Sequence, residues 1–438
     1  MRIYLFLLLL ILPGTLFASP QQDTLWTLES CIQYALDQNI TIRKTELSTK
    51  RSEVSLSQAR SERLPNANGS IGQNFGWNKN TVSGSNGFSG YRNSDYSVNA
   101  GVTVFSGNRI NNQIEQARLT ITGSQYALET TKETVSLNIL NAYLQVLYSE
   151  ELVNNSRKQI ESIEEQLRLA GERLSLKLIT AVDYSQVKSQ LASEKLTLAN
   201  AESQLSIAKI TLMQLMEIPL GEVFIIVHPE LSGLLNTQIT PDVKKIYDTA
   251  LSIKPQVKGA EINKQIAALD EKIARGAFFP TLSANAGIST AYASERGSGY
   301  GTQLNDALSP GAGLTLSIPI FQKNQVRNNI RSARIGMDDA ELSAINTRNQ
   351  LRKDIEQACL DVTSARVKYS ASLEKYNSTL ESAQLSEEKF NQGIINSVDY
   401  LVVKTNLIVS ESELLQSKYN LIFSIKVLDF YEGVPLRL

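Results

Sequence analysis

Histidine is almost missing from this 438-residue chain: there is one, His228, followed by Pro229. That nearly excludes imidazole-based metal sites and Ser-His-Asp or Cys-His catalysis. Cysteine is as scarce, with only Cys31 and Cys359. Two cysteines make no disulfide framework. One bridge is allowed in an oxidising compartment, but two buried free thiols behaving as small apolar residues fit better. Neither sign of charge prevails, since 43 Lys and Arg stand against 44 Asp and Glu. Such a chain has no overall field to gather nucleic acid or an anionic membrane surface. No apolar run reaches the roughly twenty residues of a membrane-spanning helix. The longest, Ile3 to Leu12, follows Arg2 and precedes Pro13-Gly14 and Leu16-Phe17-Ala18. This is the pattern of a secretory signal peptide over residues 1–18, cleaved after Ala18. No cysteine follows closely, so the lipoprotein pattern is absent. No nucleophile–base pair or metal cluster is visible. The expectation is an exported non-enzyme with no cofactor and no bound metal.

What the chain does contain is an internal duplication. Val182-Asp183-Tyr184 recurs as Val398-Asp399-Tyr400, a shift of 216 residues. At that shift Phe105, Asn108, Asn112, Ile114, Ala117 and Arg118 recur as Phe321, Asn324, Asn328, Ile330, Ala333 and Arg334. Upstream, Ala35-Leu36, Glu46 and Pro65 match Ala250-Leu251, Glu261 and Pro280 at a shift of 215. Heptads run through both copies. Ile114, Ile121, Leu128 and Val135 step by seven in the first, and Ile330, Met337, Ala344 and Leu351 take their places in the second. Further heptads, Leu191 to Leu212 and Leu407 to Leu428, belong to a returning helix in each copy. A seven-residue period sustained without proline implies long coiled-coil helices. About seventy residues at 1.5 Å rise make a rod of roughly 100 Å.

Between the helical stretches the period changes to two. Ile71, Phe75 and Trp77 alternate with Gly72, Asn74 and Gly76, and Tyr96, Val98, Ala100, Val102 and Val104 with small polar residues. Leu282 to Ile288 and Leu314 to Ile320 repeat the pattern in the second copy. Segments of about ten residues with one apolar and one uncharged polar face are the signature of transmembrane barrel strands. Two ordinary hairpins packed on the helices would also alternate, but a solvated face would carry charge. Trp77, Tyr96 and Tyr292 sit at expected strand ends, where an interfacial aromatic girdle lies. Gly/Ser/Asn-rich stretches 78–93 and 293–309 are expected to be exposed loops. Four strands cannot close a barrel, so if they span a membrane several chains must share one.

The domain plan follows. A first repeat, 19–217, has a helix over 26–64, strands over 66–77 and 95–104, a long helix over 106–175 and a helix over 181–216. An equatorial linker, 218–242, has a strand-like segment from Val223 to Val227. The second repeat, 243–438, has a helix over 243–278, strands over 281–292 and 311–320, a long helix over 322–391 and a helix over 397–432. The fold class is mainly α with a small β part.

Duplicated helix–strand–strand–long helix–helix modules, with paired turns Leu178-Ile179-Thr180-Ala181-Val182-Asp183-Tyr184 and Ile394-Ile395-Asn396-Ser397-Val398-Asp399-Tyr400, resemble the TolC family of outer-membrane efflux proteins. The resemblance covers essentially the whole mature chain. It implies a homotrimer with a twelve-stranded barrel in the outer membrane and a coiled-coil α-barrel through the periplasm. It also implies docking to a periplasmic adaptor (membrane fusion protein) and an inner-membrane transporter. Asp399 matches the family's aspartate ring at the periplasmic aperture, while Asp183 and Asp399 also suit the first turns of helices capped by Thr180 and Asn396. Where the family closes its tip with a tyrosine and an arginine, this sequence has Phe390 and Ile395, so an apolar constriction is expected. A second family aspartate is replaced by Val402. Leu178, Ile179, Ile394 and Ile395 are the candidate adaptor contacts. Gly393 supplies one of the family's tip glycines and Lys177 holds the other position. The rival reading is a secreted structural or adhesive coiled-coil protein; within the duct class, a type I polypeptide secretion channel has the same architecture.

Overall fold

The structure is a computed structural model that describes residues 25–79, 87–219, 221–222, 224–236 and 240–438. The expected signal peptide lies outside these residues. In chain order the elements are β1 (Leu25–Trp26), α1 (Leu28–Gln38), α2 (Ile40–Ser61), β2 (Asn66–Lys79), β3 (Phe88–Ser106), α3 (Arg109–Ser175), α4 (Ala181–Met216), β4 (Ile225–Ile226), α5 (Ser232–Asn236), α6 (Val243–Ile253), α7 (Pro255–Gly276), β5 (Thr281–Ala293), a 3₁₀ turn (Ser294–Arg296), α8 (Tyr300–Asp306), β6 (Ser309–Ser317), α9 (Gln325–Asn391) and α10 (Ser397–Glu432).

The architecture is mainly helical with one small four-stranded sheet. α3 and α9 are 67 residues each, and α4 and α10 return along them over 36 residues. α2 packs on α3 and α7 packs between α3 and α9. The heptads explain the length. Val135, Ile139, Val146, Val153 and Ile160 are all buried along one stripe of α3, as Leu351, Ile355 and Val362 are along α9.

The single helices expected over 26–64 and 243–278 are each broken in two. Asn39 leaves the helical region at ψ 127°, its side-chain oxygen accepts the Thr41 and Ile42 amides, and its Nδ2 donates to the Leu215 carbonyl at 2.8 Å. In the second copy the break falls at Lys254, held extended by Pro255, because the residue before a proline avoids the helical region. Heptad periodicity reads straight through such breaks, since it registers which face is apolar and not whether the backbone is continuous.

Each long helix starts from a turn with two consecutive left-handed residues, Gly107-Asn108 and Lys323-Asn324. A Cβ on Gly107 would collide with the Gly276 carbonyl, so this turn lets the end of α7 lie against it.

Two large apolar clusters lie around the middle of the rods. One joins α1, the middle of α3, the end of α4 and the linker; the other joins α6, the middle of α9 and the end of α10. Linker residues Phe224, Ile226 and Leu231 are buried in the first. There β4 pairs in parallel with β1, and the Tyr143 hydroxyl, 1% exposed, lies 2.6 Å from the Val227 carbonyl and 3.1 Å from that of Trp26. Val223 lies outside the described residues. Cys31 and Cys359 are buried free thiols in different clusters.

Candidate functional site

The sheet runs β2-β3-β5-β6, antiparallel throughout. Its register sorts the residues onto two faces, because directly opposed residues share a side. Ala67, Ala100, Ala286 and Ala312 lie in one row, then Gly69, Val98, Ile288 and Pro310 in the next. On the same face, Val102, Ala284 and Leu314 form the next row toward the helices, and a bulge between Thr103 and Phe105 keeps Phe105 in line with Leu282 and Leu316. That face is apolar and bare: Ile71 is 79% exposed and Leu314 73%. The opposite face is mainly Asn, Ser, Thr and Gly, with rows such as Asn66-Gly101-Asn285-Gly313 and Asn68-Asn99-Gly287-Gly311, and carries Asp95 opposite Gly72 further along β3. Ser70 bonds Ser97 at 2.8 Å on this side. The outer strands β2 and β6 each have one edge without a strand partner among the described residues.

The strands differ from expectation at their ends. β2 extends to Lys79 and β3 begins at Phe88, with Asn74 paired to Asn93 and the Ser94 hydroxyl bonded to Gln73. Much of the stretch 78–93 is therefore sheet, and residues 80–86 lie outside the described residues. The stretch 293–309 is not a plain loop but the 3₁₀ turn and α8. β6 ends at Ser317, short of Ile320, since Pro319 has no N–H to extend the ladder.

Trp77, Tyr96 and Tyr292 all lie on the apolar face. Trp77 and Tyr292 are near strand ends, but Tyr96 is in mid-strand because β3 is longer than its alternation suggested. The Tyr96 hydroxyl meets that of Tyr300, whose ring lies 4.7 Å from that of Tyr292. α8 thus covers this face above Tyr96, with Thr290 bonded to the Leu304 carbonyl at 2.6 Å. A second exposed group, Phe105, Phe278, Phe279, Ile320 and Phe321, closes the helix-proximal end. Its members fall at strand–helix junctions, where alternation has ended.

At the far end of the rods the hairpins turn through Lys177 (φ 57°) and Gly393 (φ 74°). Both positions need left-handed backbone, which glycine adopts without strain and lysine does not. Thr180 and Asp183 form a reciprocal cap: the Thr180 hydroxyl accepts the Asp183 amide at 3.2 Å and the Asp183 carboxylate takes the Thr180 amide at 3.0 Å. In the second hairpin Asn396 accepts the Asp399 amide at 2.9 Å, with no reciprocal bond among the described residues. Asp399 is exposed.

The four apolar tip residues separate into two kinds. Leu178 (69%) and Ile394 (64%) are exposed, joined by Leu176, Val182 and Val398. Ile179 folds back on Ile163, Ala170 and Val187, and Ile395 is half-buried. Phe390 stacks on Tyr400 with ring centroids 4.8 Å apart and planes 4° from parallel. The Arg173 guanidinium lies 5.6 Å from its ring, and Gln166 donates to the Tyr400 hydroxyl at 3.1 Å. Gln166, Arg173 and Tyr400 therefore tie the two hairpins of one protomer together. Sequence reading passed over Gln166 and Arg173, which look like ordinary surface residues, and had Tyr400 only as part of the recurring Val-Asp-Tyr.

A bare apolar sheet face opposite a polar one built mostly of Asn, Ser, Thr and Gly, continuous with duplicated helical rods, is barrel-wall geometry. The family described as "Outer membrane efflux protein" matches residues 31–216 and 246–428. The chain belongs to that family. It is a TolC-family outer-membrane efflux protein, located in the outer membrane, and the family is one of channel proteins. Similar curated proteins include toxin and drug export protein A of Aggregatibacter actinomycetemcomitans, 19% identical over 398 residues, 90% of this chain and 83% of that one. Another is outer membrane protein TolC of Escherichia coli, 24% identical over 67% of this chain and 60% of that one. Among solved structures, CusC superposes with a TM-score of 0.78 at 18% identity, covering 95% of this chain and 96% of that one. The CmeC channel of Campylobacter jejuni gives 0.77 at 17%, covering 93% and 85%. An outer-membrane efflux protein replaces the secreted adhesive reading.

Proposed function

We propose that three copies of this chain close a twelve-stranded barrel in the outer membrane and continue it as an α-helical tunnel through the periplasm, conducting substrates without chemical change. The observation that carries this is the sheet itself, apolar on one face and polar on the other, with β2 and β6 each lacking a strand partner on the outer edge among the described residues. Open edges are not tolerated in lipid, and pairing β2 of one copy with β6 of the next removes them. About nine residues separate Tyr96 from Phe105 on the apolar face, the span of a tilted transmembrane strand. Tyr96 and Tyr292 then form the outer girdle, while Trp77 lies six residues further along β2, beyond that level. The repeats 19–217 and 243–438 each supply half of the protomer's wall, and the linker 218–242 lies at the equator.

The duplication supports a ring. Within the chain α3 and α7 meet in a defined register, Gln116 on Asp270, Tyr126 on Gly259 and Glu133 on Lys254. Shifted by one repeat, this register sets α9 of one copy against α2 of the next. Leu342 takes the place of Tyr126 and falls between Ile40 and Leu47, while Ile335 falls between Leu47 and Val54. All five are exposed in the single chain. The test is native mass after membrane extraction. A detergent-dependent particle of three chains is expected; a soluble monomer released without detergent would overturn the proposal.

The tips are the docking site for a periplasmic adaptor serving an inner-membrane transporter. Leu178, Gly393 and Ile394 carry it, with Ile179 and Ile395 bracing the turns from within. Leu178→Asp with Ile394→Asp is expected to lower export by about tenfold or more, because burial of two such side chains contributes about 3 kcal/mol or more. The trimer should stay intact; unaltered export would remove the docking role. Asp399, with Asp183 and Phe390, lines the aperture. Carboxylates gathered around one axis attract cations, so Asp399→Asn should weaken block of single-channel current by divalent cations. Unchanged block would leave Asp399 a helix-start residue only.

A further inference from the structure

The neutral overall charge hides a local imbalance just beyond the helix-proximal apolar group. From Gln325 through Met337, α9 contains no acidic residue but three arginines, Arg327, Arg331 and Arg334. Cations in the opening turns work against the helix dipole. The corresponding residues of α3 are Asn111, Glu115 and Arg118, where no such excess exists. Arg334 is paired with Glu271 at 3.1 Å. Arg327 and Arg331 are exposed and form no ion pair among the described residues.

Their direction follows from helix geometry. Positions i, i+4 and i+7 share one stripe, so Arg327, Arg331 and Arg334 are aligned. Asn329, Ser332, Ala333 and Gly336, which line a groove between α7 and α9, lie on the opposite stripe. The corresponding groove of the first repeat is lined by Ser55 and Gln113 together with Thr103 and Thr281 of the polar sheet face. That groove opens toward the lumen, so the arginines point outward, below the apolar face. In the first repeat the same level is reached from α2: Arg63 donates to Asn111, the counterpart of Arg327, at 2.7 Å.

We propose that this outward belt binds the headgroups of anionic glycerophospholipids in the periplasmic leaflet, with Arg327 and Arg331 clasping a phosphate and Arg63 acting likewise in the first repeat. The proposal rests on the barrel reading above. Two guanidiniums one turn apart offer forked donors suited to phosphate oxygens. The exposed Phe278, Ile320 and Phe321 beside them suit acyl chains, which a free phosphate lacks.

The test uses the full-length protein reconstituted into phosphatidylethanolamine vesicles with and without phosphatidylglycerol, followed by native mass spectrometry of retained lipid. Wild type should retain phosphatidylglycerol preferentially. Arg327→Gln with Arg331→Gln should reduce that preference by about fivefold per cation removed, while Arg118→Gln, in the acid-paired position of the first repeat, should not. Helical content and trimer mass report folding of each variant. A protein that inserts but retains both lipids equally, or a double variant with unaltered preference, overturns the lipid site alone. Displacement of the lipid by excess inorganic phosphate would make it a phosphate site instead and also overturn it. Failure to insert into either vesicle would overturn the barrel reading.

Discussion

Leu342→Asp is expected to convert the detergent-extracted trimer into folded monomers. In a single chain Leu342 is 65% exposed, so the protomer loses little by the change. In the ring its side chain sits between Ile40 and Leu47 of the next copy, at a seam that occurs once per subunit pair. Burying a leucine contributes about 2 kcal/mol, and a carboxylate in its place must stay hydrated or be desolvated at a further penalty of several kcal/mol. Each seam therefore weakens by about 5 kcal/mol, and the open sheet edges lose their partners together with it. Native mass separates the outcomes. Three chains in the variant would show that α9 and α2 do not meet in the register inherited from α3 and α7.

The second expected result is a loss of stability in alkali that depends on Cys31. Burial holds the Cys31 thiol neutral, raising it from 9.0 to about 12, and burial raises Tyr431 from 10.0 to about 12. A raised pKa means that the folded state binds the proton more tightly than the unfolded chain does. The associated stability is complete below about pH 9 and is lost progressively as pH rises toward 12. For Cys31 the difference of about three units corresponds to about 4 kcal/mol. Lys254 acts in the opposite sense: desolvation lowers its pKa, so its contribution grows as pH rises toward the usual lysine value. Cys31→Ala should cost about 1 kcal/mol at neutral pH through a small cavity and flatten the decline between about pH 9 and 10, below the range where Tyr143, Tyr400, Tyr419 and Tyr431, also raised by burial, add to it. Thermal unfolding followed by helical circular dichroism at a series of pH values measures both. An equal decline in wild type and variant would show that the thiol does not control it.

Much of the architecture was legible because the chain states it twice. Heptads and the 216-residue shift mark long rods, and strict alternation marks strands whose two faces meet different surroundings. Other features depended on single residues acting against the local pattern. Asn39 breaks a helix by bonding the Leu215 carbonyl, 176 residues away in sequence. Tyr96 moved from strand end to mid-strand because Phe88 to Asn93, poor in alternation, gains order from its partner Asn74–Lys79. At the tips, Leu178 and Ile179 are adjacent and chemically alike, yet one is exposed and the other packs on Ile163 and Val187. Only the direction of the turn distinguishes them.

Periodicity and composition are properties of the linear chain, so the duplicated, mainly helical plan, the two-faced strands and the scarcity of catalytic groups are all legible before folding. The tertiary structure decided which apolar residues remain bare. Ile40, Leu47, Val54, Ile335 and Leu342 belong to the same kind of heptad as buried Ile139 and Leu351, and differ only in whether a second helix of the same chain reaches them. Arg327 and Arg331 likewise stand on the stripe of α9 opposite its groove with α7, a placement that only the packing of α7 on α9 defines. Burial and facing are relations between elements distant in sequence, and no local pattern encodes them.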